Sequence, residues 1–91
     1  MPNIEIHGIG EHRDQDLLRS KIFAATEKLA FARVTVVTIV PDKCVDRNCV
    51  PRPFLRIVSY VPRRTEQLVE VLKLLNMDME TPDEFIPGMQ S

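Results

Sequence analysis

Two stretches of this 91-residue chain align when one is slid by 51 positions along the other, and this internal repeat constrains the fold more than any other feature. Pro2 meets Pro53, Ile4 meets Leu55 and Ile6 meets Ile57. Further on, Arg13 meets Arg64, Asp14 meets Thr65, Leu17 meets Leu68 and Leu18 meets Val69. Each copy reads as a proline, an alternating strand, a turn, an arginine, a helix cap and an amphipathic helix. Alternation gives a strand one apolar face, and spacings of three and four give a helix one apolar stripe, so each unit must bury its helix on its own strands. Two such units side by side predict an α+β fold: a two-layer sandwich with a mixed four-stranded sheet and both helices on one face. The length suits a single domain over residues 1–91, with the pseudo-repeat at 2–42 and 53–86.

Within the first copy, Ile4, Ile6 and Ile9 mark a strand whose alternate face carries Asn3, Glu5 and His7. Asp14 is the expected N-cap of a helix over residues 15–31, with Leu18, Ile22, Ala25 and Leu29 on its inner face and Leu17 and Phe23 widening the stripe. Val34 to Val40 is β-branched throughout and ends at Pro41-Asp42; its near-continuous apolar character predicts a central strand. In the second copy Phe54 to Val61 reads as a strand closed by Pro62. Thr65 is the expected N-cap of a helix with Leu68, Val71, Leu72 and Leu75 inside. Residues 77–86 read either as a short closing strand or as an irregular tail, because Pro82 and Pro87 interrupt pairing there.

Charge is nearly balanced, 12 basic against 13 acidic residues, which argues against nonspecific attraction to nucleic acid or to a membrane. No apolar run approaches a membrane span and no basic-then-apolar leader opens the chain, so a cytoplasmic protein is expected. An RNA-binding sheet would need aromatic residues along its central strands, and only Phe54 and Tyr60 are on offer. Locally the charge is uneven. Arg47, Arg52, Arg56, Arg63 and Arg64 follow one another without an acid, and six acids between Glu66 and Glu84 face the single Lys73. The patches can be solvated faces, can pair between subunits, or can form an anion site around the arginines.

Cys44 and Cys49 stand four residues apart, wider than the two-residue spacing of zinc knuckles and redox pairs, so two free thiols on a loop and no metal site are expected. His7 reads as a surface residue of its strand, and Tyr60 as a packing residue of its own.

Pro2 follows the initiator Met, which is normally removed before a small residue, so the mature chain begins with a secondary amine at the head of a strand. The run Pro2-Asn3-Ile4-Glu5-Ile6-His7, Arg13 before the helix, and Val36-Val37-Thr38-Ile39-Val40-Pro41-Asp42 together resemble the tautomerase superfamily. The first segment looks like the opening strand of 4-oxalocrotonate tautomerase. The last looks like the second strand of the macrophage migration inhibitory factor branch.

This resemblance implies Pro2 as general base and Arg13 as a carboxylate-binding residue, with no metal or organic cofactor. Thr38 stands where the small bacterial enzymes carry an arginine, and Ala30 where the cytokine-like branch carries a lysine. Arg56, Arg63 or Arg64 of a neighbouring subunit are the available substitutes, Arg64 being the repeat counterpart of Arg13. The implied substrate is a small 2-keto or enol carboxylic acid and the implied assembly a homo-oligomer, a trimer. The alternative is a noncatalytic oligomeric domain, either of this fold or ferredoxin-like.

Overall fold

A computed structural model describes residues 2–10 and 15–81 of the chain. Its order is β1 (Asn3–His7), α1 (Gln15–Thr26), β2 (Val36–Val40), β3 (Phe54–Val58), α2 (Pro62–Leu72) and β4 (Asp78–Glu80), with 3₁₀ turns at Ala32–Val34 and Lys73–Leu75. The four strands form one sheet in the order β2-β1-β3-β4. β1 and β2 are parallel, β1 and β3 antiparallel, β3 and β4 parallel. The sheet is thus two βαβ units meeting along β1 and β3; it is mixed and four-stranded, as the repeat predicts. β1 and β2 are direct neighbours, so the first unit is not the split βαβ of a ferredoxin-like order.

Register explains the core. Ile4 pairs with Ile57 and Ile6 with Leu55, so all four point to one face, where they are fully enclosed. Ile22 of α1 and Leu68 and Leu72 of α2 complete the same buried cluster, which places both helices on that face. Right-handed crossovers in two units related by a pseudo-twofold normal to the sheet give this result. The other face, with Asn3, Glu5, His7, Val36, Thr38, Val40, Phe54, Arg56 and Val58, carries no helix among the described residues. Among the described residues no helix is long and apolar enough to cross a membrane.

Several expectations need correction. The Val34–Val40 run is not central: β2 lies at a sheet edge, and Val36 is 43% exposed. Its continuous apolar character has another origin. Val37 and Ile39 pack against the core while Val36 and Val40 lie on the open face. The first helix stops at Thr26, whose hydroxyl donates to the Ile22 carbonyl at 3.0 Å, competing locally with the helix. Tight turns follow, Leu29 N–H to the Thr26 carbonyl and Ala32 N–H to the Leu29 carbonyl, and they bring Phe31 into the core. The strand begins two residues later than expected, because Ala32–Val34 is a 3₁₀ turn.

In the second copy β3 ends at Val58, and Pro62 opens α2 instead of closing the strand, as suits a residue without an N–H at the first helical position. Thr65 is therefore no N-cap. It lies inside the helix, buried, and its Oγ1 has no hydrogen-bond partner among the described residues. The ambiguous segment after Asn76 yields the short strand β4. The expected cap Asp14 lies outside the described residues.

Candidate active site and charged sheet face

Pro2 heads β1 at the sheet end where β2 begins and β3 finishes. Its carbonyl accepts the Val36 N–H at 2.9 Å, which extends the parallel ladder by one rung, and its side chain is fully enclosed. Arg13 lies outside the described residues.

Arg64 sits in the first turn of α2 with its guanidinium over the Phe31 ring, 5.2 Å from the centroid. It lines an open cleft of about 610 Å3 with Arg33, Arg63, Ala30, Val34 and Val61 among its other walls. Val34 lies two residues before the Val36 rung that holds Pro2, so cleft and proline share one end of the sheet. Pro2 itself does not line the cleft. Tyr60 lies past the end of β3 and is 54% exposed.

The acid-free arginine run is divided in space. Arg52 is held by Asp46 in the loop after β2, at 3.0 Å from both Nε and Nη2. Arg56 lies on the open sheet face, its Nη1 3.6 Å from Glu5. Arg63 and Arg64 join Arg33, which comes from outside the run.

A second cluster occupies the open face. His7 Nδ1 lies 3.0 Å from Asp42 Oδ2, and its Nε2 lies 2.7 Å from Glu5 Oε1. The other Asp42 oxygen accepts the Gly8 N–H, and Phe54, the register partner of His7, stacks on the imidazole at 4.8 Å with the rings nearly coplanar in orientation. An imidazole between two carboxylates donates from both nitrogens only when protonated. Accordingly the Asp42 hydrogen bond raises the His7 pKa, with burial opposing and Glu5 assisting. The His7 hydrogen bond lowers that of Asp42, against burial, and the Gly8 N–H adds to the effect. The side chains of His7 and Glu5 are only 16% and 18% exposed, so His7 is more than a surface residue of its strand. Register is the signal that could have revealed the cluster. Once β1 lies beside β2 and β3, Glu5 faces Arg56 and His7 faces Phe54.

Cys44 and Cys49 are free thiols. Arg52 N–H donates to the Cys44 carbonyl at 2.7 Å and Val45 bridges to Pro51, so Cys44 stands opposite Arg52 while Cys49 lies in the turn beyond. Burial, followed by the nearby Asp42 charge, pushes the Cys44 thiol up, away from thiolate chemistry. Among the described residues no three His, Cys, Asp or Glu side chains form a metal-holding group.

No protein-family model matches this chain, and no characterised protein matches it.

Proposed function

We propose that this protein is a tautomerase-like isomerase that moves a proton in a small 2-keto or enol carboxylic acid, with Pro2 as general base. The observation that carries the reading is the enclosed Pro2 at the head of a central strand, at the same sheet end as a cleft lined by arginines. Ala30 lines that cleft, and Arg33, Arg63 and Arg64 supply there the positive charge that Ala30 does not. The parallel β1–β2 and β3–β4 pairs around an antiparallel centre also support it.

In the proposed step the neutral amine of Pro2, exposed by removal of Met1, takes the α-proton from carbon. The C–H electron pair moves into the carbon framework and charge collects on the ketone oxygen. The prolinium then returns the proton to that oxygen. Arg64, with Arg13, holds the substrate carboxylate by paired N–H donors and stabilises the enolate. No metal or organic cofactor enters this step. The reading places the protein in the cytoplasm as a homo-oligomer, a trimer, whose partner is the carboxylate substrate and neither nucleic acid nor membrane.

Intact mass should show loss of Met1, and the wild type should interconvert the keto and enol forms of an arylpyruvate. Pro2→Ala should lower kcat by about 10²–10⁴-fold, the usual contribution of a positioned base. An inert wild type, or a Pro2→Ala variant as active as it, would sink the proposal.

The second reading is a noncatalytic oligomeric domain on the same scaffold. It is favoured by the open sheet face, where Val36, Val40, Phe54 and Val58 lie on the same side as the His7 cluster with no covering layer among the described residues. A wild type that assembles but turns over no keto acid would favour it.

A further inference from the structure

We infer that the cleft between the Ala32–Val34 turn and the first turn of α2 binds a phosphate monoester with an apolar body. Arg33, Arg63 and Arg64 converge there from two separate segments, and no acid lines the cleft among the described residues. Outside the cleft, Arg19 pairs with Asp16, Arg52 with Asp46 and Arg56 with Glu5, and only Arg47 among the described arginines there has no ion pair. None of the three cleft arginines has a carboxylate within ion-pair distance among the described residues.

Their position adds to the positive charge of the cleft. Arg63 and Arg64 occupy the first turn of α2, where the helix dipole is positive, and that turn has neither an acid nor a side-chain cap. Three like charges at one site repel, and a bound anion relieves the repulsion. Arg64 lies over the face of Phe31, which restricts its orientation and leaves its N–H donors for a ligand.

The chemistry separates phosphate from carboxylate. A carboxylate offers two oxygens and one charge, enough for a single guanidinium fork. A phosphate monoester dianion offers three terminal oxygens and nearly two charges, which suits three guanidinium groups. Ala30, Val34 and Val61 supply apolar wall beside them, so the ester group is apolar. The volume of about 610 Å3 accommodates a ligand of that size. Arg64 is common to this site and to the proposed carboxylate site, so the two ligands compete. The phosphate site itself rests on the arginines and not on Pro2 acting as a base.

The test is calorimetric titration of the full chain with phenyl phosphate and with benzoate at matched ionic strength. Phenyl phosphate should bind at least tenfold tighter than benzoate. Its affinity should rise between pH 5 and pH 7.5 as the second phosphate proton leaves at about pH 6. The double variant Arg33→Gln, Arg63→Gln, checked for an unchanged circular dichroism spectrum, should lose at least tenfold in affinity, and Arg19→Gln should lose none. Equal binding of benzoate and phenyl phosphate, affinity flat with pH, or undiminished binding by the double variant would each overturn the inference. The wild-type arms stand even if the double variant fails to fold. Binding is read without turnover, so the isomerase assay and this one can fail separately.

Discussion

At the residue scale, the His7 cluster carries the clearest electrostatic consequence. Its folded-state pKa is raised, so its contribution is complete below the unfolded value of about 6.5 and is lost as pH rises through the folded value. Asp42 is lowered, so its contribution is complete above an unfolded value of about 3.9 and is lost as pH falls through the folded value. The cluster therefore stabilises most between about pH 4 and pH 6.5. His7→Gln should cost about 1–2 kcal/mol in that window, the scale of a hydrogen bond to a charged group reduced by solvent screening because Asp42 is 40% exposed, and progressively less on either side. Urea denaturation of both proteins from pH 3 to pH 9 measures this, and a pH-independent difference would contradict it.

At the element scale, the repeat aligns Leu17 with Leu68, yet the structure treats them oppositely. Leu68 is fully buried in the core, and Leu17 is 52% exposed. The two helices present different phases of their stripes to the sheet, since Leu18 and Ile22 carry the inner face of α1 and Leu68 and Leu72 that of α2. Leu68→Ala should cost about 2–5 kcal/mol by the lost burial and the cavity left behind. Leu17→Ala should cost about 1 kcal/mol or less. Denaturant midpoints of the two variants give the comparison directly, and similar losses would mean that the helix faces are wrongly assigned.

The elements also show how far the sequence was legible. Strand identity and facing could be read at Ile4, Ile6, Leu55 and Ile57, because period-two alternation is local and only one face of each strand can be apolar. The position of β2 could not. A strand apolar on both faces is written alike whether it is central or an edge strand that borders an open face. Pro2 and Arg64 were legible as candidates, one from its place at the chain start and the other from the repeat. Arg33 carried no such sign, because it enters the cleft through a 3₁₀ turn at a position with no counterpart in the repeat.

At the scale of the whole molecule, the sheet has one face covered by helices and, among the described residues, one bare. β2 also leaves an edge of β-branched residues, and such edges pair with other chains unless something covers them. The proposed homo-oligomer would cover this surface. If so, the wild type sediments well above its monomer mass of 10.4 kDa. Val36→Lys with Val58→Lys, both on the open face, should return it to the monomer mass with its helix and strand signal intact. Wild-type sedimentation at the monomer mass would remove the oligomer from the proposal.

The sequence by itself determined two strand-helix units, the apolar faces of β1 and β3 and the proline at position 2. All of these follow from interactions a few residues long. Tertiary structure alone decided that β2 stands at the edge, that His7 lies between Glu5 and Asp42, and that Arg33 joins Arg63 and Arg64. Each of these depends on which strands become neighbours and in which register. Pairing is a long-range choice, and the local pattern of apolar residues does not encode it.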